Sequence, residues 1–263
     1  MASFYREKTT DCGPGRYKDV DIYLYSGKRQ TATENRRRKR YRESTPQQKN
    51  LNDKNAKIYF FRLAKLNFFP GDIHLTLTYD DRFLPADEEE AKKIVRRFIR
   101  RVRAWRKKNN LPELKYIVVT SVYSSDGEPT RIHHHILFNS VPAALRDELE
   151  ELWKLGIANA DKIKNVHNAM NKLVGYIGKQ TSGKKHFFSS LNLKRPTYYR
   201  VDGKFTKNQI EKIARGDAYQ PEFWERKYPG WKIVDRDHDI KVEYNEFSGW
   251  YIRLQLTHEK ILQ

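Results

Sequence analysis

Apolar and polar positions alternate along this chain with two different periods, and the switch between them marks its elements. At the strand period, Asp19 to Tyr25 alternates, as does Ile73 to Tyr79, where Leu75 and Leu77 sit between threonines. Lys115 to Tyr123 is a second β-branched run. The loop Ser124 to Pro129 comes next, and then Arg131 to Asn139, whose apolar half, Ile136 to Phe138, suits a buried strand. Two runs joined by so short a loop predict a hairpin. At the helical period, Lys49 to Leu66 places Ile58, Phe61 and Leu66 inward and Lys54, Lys57, Arg62 and Lys65 outward. Residues 91 to 107 carry a stripe of Ile94, Phe98, Ile99, Val102 and Trp105, with arginine and lysine on the other face. Glu88, Glu89 and Glu90 precede it, where acidic groups favour the positive end of the helix dipole.

Further helices are predicted over Ala143 to Lys154 (Leu145, Leu149 and Leu152 inward) and Val166 to Lys179 (Met170, Leu173, Val174 and Ile177 on the apolar side). Between them, residues 156 to 163 read as a loop with room for one short strand. Ser190 to Arg200 is extended and aromatic, Lys207 to Ala214 is a short helix, and Pro221 opens another that Pro229 and Gly230 end. Residues 231 to 256 read as strands. Cys12 to Gly15 and Pro70-Gly71 are turn signals. Interleaved strands and helices with a hairpin predict an α+β fold rather than a doubly wound parallel sheet.

Charge sharpens this picture. The chain has 263 residues, a net charge of +19 and a pI near 9.8. So large an excess implies a polyanionic partner, with nucleic acid the default. A ribosomal or other structural role stays open on charge alone. An anionic membrane suits it less, because no basic amphipathic helix with a bulky apolar face stands alone. The run Arg36, Arg37, Arg38, Lys39, Arg40 and Arg42 is either a phosphate-binding arm or a solvated one. One cysteine, Cys12, excludes an intrachain disulfide and a cysteine zinc site, which fits a reducing cytoplasm. No apolar run approaches the ~20 residues of a membrane span. The N-terminus lacks the apolar core of a signal peptide. No glycine-rich phosphate loop with a lysine follows a strand, so no nucleotide cofactor is expected.

Two constellations carry candidate chemistry. On a strand, His133 and His135 share one face and His134 points the other way. Two imidazoles on one rigid strand can converge on a divalent metal; three successive histidines can also be a solvated strand end. Downstream, Tyr176 and Lys179 are three residues apart and lie on one helical face. A neighbouring ammonium favours the phenolate of a tyrosine whose hydroxyl is otherwise a poor nucleophile at neutral pH. The alternative is a tyrosine at a core edge with a lysine in solvent, in a chain with 16 tyrosines.

Together, Leu75 to Tyr79, Arg131 to Leu137 and Tyr176 to Lys179 resemble, in order, the motifs of rolling-circle replication initiators of the HUH endonuclease superfamily, of phage and plasmid type. The resemblance covers about residues 50 to 200, and Ser190 to Tyr199 is similar to the segment after the nucleophile helix in phage proteins of this kind. It implies a central antiparallel sheet of about five strands with flanking helices, the histidine strand in the middle. It implies His133 and His135 as ligands of Mg²⁺ or Mn²⁺, Tyr176 as nucleophile and Lys179 as its helper. Single-stranded and origin DNA would be the substrates, held by Arg36, Arg37, Arg38 and Arg40 and by the helix face of Arg96, Arg97, Arg100 and Arg103. The setting would be the cytoplasm of a bacterial host, whose helicase and polymerase would act as partners. A transposase or relaxase shares the chemistry, and a binding protein on a weakened scaffold is the other alternative. The family often places a glutamate on the strand before the histidines. Ser121 stands there, which leaves Asp126, Glu128 or water to complete the site. The expected organisation is a basic arm over 1–50, the endonuclease domain over 51–200 and an extension over 201–263.

Overall fold

The computed structural model describes residues 3–13, 15–26, 46–123, 128–164 and 187–262. The chain divides into two compact units, one formed by Met1–Arg42 with Arg195–Gln263 and the other by Glu43–Lys194.

The second unit is α+β, as expected. It contains α1 (Pro46–Asn67), β3 (Ile73–Thr78), α2 (Glu88–Lys108), β4 (Tyr116–Tyr123), β5 (Pro129–Phe138), α3 (Arg146–Glu151), β6 (Ala158–Lys162) and β7 (Phe188–Ser189). Its five-stranded sheet has the order β6-β3-β5-β4-β7, antiparallel at every pairing. The histidine strand β5 is therefore central, and β4 and β5 form the predicted hairpin.

The period-2 pattern sorts the two faces of this sheet. On one, Ile73, Leu75, Leu77, Val118, Ile136 and Phe138 pack against Val95, Phe98, Ile99 and Val102 of α2. Each such side chain stabilises the fold by about 1.5–3 kcal/mol relative to exposure. The stripe of α2 runs as predicted except at Ile94, which is half-buried while Val95 is enclosed. Asp87 caps this helix by accepting from the Glu90 amide at 2.8 Å. On the other face, Ile117, Val119 and Leu137 pack with Phe60, Leu63 and Ala64 of α1.

The outward placement of Arg62 and Lys65 on α1 is corrected: both are buried. The C-terminal half of α1 is enclosed nearly all round, so period alone does not identify its solvent face. The Lys65 ammonium lies 4.4 Å from the Phe61 ring centroid, a cation–π contact that lets a buried stem keep its charge. Arg106 is also buried and donates to the carbonyls of Pro112, Asn139 and Ser140, tying the end of α2 to the start and end of the hairpin. Gly156 has φ +155°, and a Cβ there would stand 2.6 Å from the Asp80 nitrogen. Only glycine lets the chain before β6 approach the end of β3 so closely.

The first unit joins the two ends of the chain. Strands β1 (Ser3–Asp11) and β2 (Tyr17–Ser26) form a hairpin about the predicted turn at Gly13 and Gly15. Beyond 194 come β8 (Thr197–Asp202), α4 (Lys207–Arg215), α5 (Pro221–Lys227), β9 (Trp231–Lys232), α6 (Arg236–Asp239), β10 (Ile240–Asn245) and β11 (Gly249–His258). The sheet order is β10-β11-β2-β1-β8, with β9 pairing β11. Its core sets Val20, Ile22, Ile252 and Leu254 against Ile210 of α4 and Trp224 of α5. The expected arm over 1–50 and extension over 201–263 thus share one core, because strand pairing joins segments that sequence distance separates. Their boundaries fall at 42/43 and 194/195.

Candidate active site

The antiparallel register assembles the polar part of the α1-facing side of the second unit's sheet. Thr76 lies opposite His135 and Thr78 opposite His133 on one side; Val119 and Ser121 lie opposite the same two histidines on the other. The rings of His133 and His135 are 4.9 Å apart and nearly perpendicular. The two imidazoles therefore sit side by side on one face, as strand geometry requires.

His74, on β3, joins them. Its Nε2 is 3.2 Å from His135 Nδ1, and the two rings stack with centroids 5.3 Å apart. Thr76 Oγ1 is 3.5 Å from the same Nδ1. Motif reading overlooked His74. The signal was present, since Ile73, Leu75 and Leu77 take the apolar side of β3 and leave His74, Thr76 and Thr78 on the histidine side.

Hydrogen bonds constrain the tautomers. His133 Nδ1 is 2.8 Å from the Arg131 carbonyl, which can only accept, so that nitrogen carries the proton and Nε2 keeps a lone pair. His135 presents Nε2 in the same way when its Nδ1–H donates to His74 Nε2. Burial pushes the His135 imidazole down to about 3, with further lowering by His133, His74 and His134, so it is neutral at pH 7 and able to donate a lone pair.

His134 does something different. It is fully enclosed on the α2 side, with Nε2 2.7 Å from the Tyr79 hydroxyl and Nδ1 3.0 Å from Thr120 Oγ1. Burial lowers it to about 3 and raises the Tyr79 hydroxyl. The neutral ring has one N–H and one lone pair, and the two hydroxyls match them. Trp153 stands over this pair, 5.1 Å from Tyr79 and 6.1 Å from His134, and donates its Nε1–H to the Thr78 carbonyl at 2.6 Å. The middle histidine is thus a bolt joining β3, β4 and β5 behind the two that face outward.

As a metal site the donor set is two neutral imidazoles with fixed neighbours, which fits a divalent ion that takes its other ligands from water or phosphate oxygens. Among the described residues, no group of three or more His, Cys, Asp or Glu side chains is arranged to hold an ion. Ser121 is buried directly opposite His133, at the strand position its place in the sequence predicts. Glu128 precedes β5, about 17 Å along an extended chain from His133, too far to complete the set. Asp126 lies outside the described residues.

Arg96, Arg97, Arg100 and Arg103 are all exposed on α2, forming a basic face. Arg96 lies over the Phe188 ring at 5.1 Å and Arg103 over Tyr116 at 5.5 Å. These two arginines are held against aromatic rings with their outer edges in solvent. Tyr176, Lys179, the helix predicted over Val166 to Lys179, and Arg36, Arg37, Arg38 and Arg40 lie outside the described residues.

Fold and site together define an α+β protein with a pair of outward histidines on the central strand of an antiparallel sheet. The family model for the replication-associated protein ORF2 matches residues 72–181, a segment that begins just before β3 and includes β5, Tyr176 and Lys179. The match supports a replication-initiator family for this segment and a role in DNA replication. No curated protein and no solved structure matches the chain. No helix among the described residues is long and apolar enough to cross a membrane.

Proposed function

We propose that the protein is a site-specific single-strand DNA endonuclease of the HUH superfamily that initiates rolling-circle replication of a phage, plasmid or integrated element. The observation that carries this reading is the coincidence of the replication-family match with the paired histidine face. His133 and His135 would hold Mg²⁺ or Mn²⁺. A bound divalent ion there supplies polarisation of the scissile phosphate and charge neutralisation.

The chain's own residues do the rest. Arg96, Arg97, Arg100 and Arg103, with Arg36, Arg37, Arg38 and Arg40, bind phosphates and set the strand's register. The Tyr176 oxygen attacks phosphorus, forming a Tyr–O–P bond as the P–O3′ bond breaks. The electron pair leaves on O3′, which takes a proton from solvent, and the tyrosine proton passes to solvent. Lys179 stabilises the phenolate and the charge that develops on phosphate. The products are a 5′-phosphotyrosine link and a free 3′-hydroxyl, the primer a host polymerase needs after a host helicase opens the duplex. Ser121 in place of an acidic ligand favours one alternative, a nucleic-acid-binding protein on a weakened scaffold. A transposase or relaxase would use the same chemistry on another DNA site.

Labelling polarity tests the reading. A single strand from the encoding element's origin, labelled at its 3′ end, should migrate with the protein after denaturation. The same strand labelled at its 5′ end should give a short free fragment that a polymerase extends. Linkage of the 5′-labelled fragment to protein would reverse the proposed bond cleavage and contradict it.

A further inference from the structure

The first unit contains a cavity of about 440 Å³ between α4 and α5. That volume lies in the range of about 300–1,000 Å³ typical of small-molecule sites. Its lining combines two kinds of group that seldom meet without a reason. Phe205, just before α4, and Phe223, on α5, give it an aromatic wall; Phe205 is buried and Phe223 half-buried. Lys204, Lys212 and Lys227 stand around it with one carboxylate, Asp217. The Lys227 ammonium lies 5.6 Å from the Phe205 ring centroid and 5.0 Å from that of Phe223, so it sits between the two rings.

Charge at this cavity is unbalanced. Lys204 is neutralised by Glu7 at 2.7 Å, and Glu7 also accepts from the Tyr228 hydroxyl at 2.8 Å. Lys212 and Lys227, both exposed, then face Asp217 alone, which leaves the opening positive. A bare phosphate would use the ammonium groups and leave the aromatic wall idle. An apolar ligand would use the wall and leave the ammonium groups idle. A planar base bearing a phosphate uses both, since bases stack on aromatic side chains and phosphates pair with lysine. Asp217 can accept from an exocyclic base amine, as carboxylates do from the amino group of cytosine.

We propose that this cavity binds one nucleotide, its base against Phe205 and Phe223 and its phosphate on Lys212 and Lys227. The ligand is either a free nucleotide or an unpaired nucleotide of a DNA strand, which share this chemistry. The site belongs to the first unit and is independent of the cleavage assigned to Tyr176.

Calorimetric titration of the full chain with dCMP, deoxycytidine and inorganic phosphate tests it. Expected is saturable binding of dCMP at least tenfold tighter than either part alone. Lys212→Glu/Lys227→Glu, made at two exposed positions, should weaken dCMP at least tenfold with thermal unfolding unchanged. Phe223→Leu should do the same and Phe223→Tyr should restore binding. Phosphate bound as tightly as dCMP, or dCMP binding unchanged in the double lysine variant, would overturn the proposal. Anisotropy of a labelled twelve-nucleotide oligo-dC separates the two sources. A strand nucleotide is indicated if the double variant flattens the salt dependence by about 1.4 in log–log slope, the value for two lost phosphate contacts on single strands. A free nucleotide is indicated if dCMP binding is lost and oligonucleotide binding is kept.

Discussion

Replacing His134 by leucine measures how far the middle histidine holds the sheet that presents its neighbours. Leucine is close in size, so little cavity is expected. What is lost is the match of one N–H and one lone pair to the hydroxyls of Tyr79 and Thr120, at 2.7 and 3.0 Å. Both hydroxyls then face an apolar side chain where the ring nitrogens stood. Each buried polar group that loses its partner costs about 1–3 kcal/mol, so the single substitution should destabilise the second unit by about 4 kcal/mol. For a unit of this size that corresponds to a fall of about 8–16 °C in its melting temperature. Removing the stranded hydroxyls should recover most of the loss, because replacing both sides of a hydrogen bond with apolar groups is nearly neutral. The triple variant His134→Leu/Tyr79→Phe/Thr120→Val should therefore lie within about 1.5 kcal/mol of the parent. The chain has two units, so one global transition would mix them. Hydrogen exchange of the β3, β4 and β5 amides in increasing urea reads the second unit directly. A single variant within about 0.5 kcal/mol of the parent, or a triple variant no better than the single, would refute the bolt.

The outward side of the strand gives further expectations. His74→Leu removes the acceptor for His135 Nδ1–H and should weaken Mn²⁺ binding by about 10–100-fold, read by electron paramagnetic resonance; unchanged affinity would remove His74 from the site. Ser121→Glu places a carboxylate opposite His133 and should shift preference toward Mg²⁺ while costing stability in the metal-free protein, both measurable by calorimetry. If Mg²⁺ affinity does not rise, that strand position is not directed at the ion. Replacing Arg96, Arg97, Arg100 and Arg103 by alanine should lower single-strand affinity and reduce its salt slope by up to about 2.8, the value for four phosphate contacts. An unchanged slope would assign DNA binding to another face.

Much of this architecture could be read from residue order alone, for identifiable reasons. Short-range periodicity marks β3, the β4–β5 hairpin and α2, where one face is buried and the other wet. The same rule misplaced Arg62 and Lys65, because α1 is enclosed on more than one side and its lysine is accommodated against Phe61. Pairing between the chain ends leaves no local trace, so β1 and β2 joining β8 and β11 could not be anticipated from an arm rich in arginine. At the site, the strand period by itself separated His134 from His133 and His135. His74 needed the β3–β5 register, which becomes visible only when the strands are paired.

The central claim is that Tyr176 attacks DNA beside a metal held by His133 and His135. The most direct measurement incubates the full chain with labelled single strands from the encoding element's origin and Mn²⁺, then runs a denaturing gel. Expected is a slow band of covalent protein–DNA adduct that disappears with chelator, in His135→Ala and in Tyr176→Phe, while Tyr176→Phe still retards the same strand on a native gel. An adduct that persists in Tyr176→Phe would contradict the assignment of the nucleophile. Tight native-gel binding with no adduct from the parent protein would replace the nickase with a binding protein.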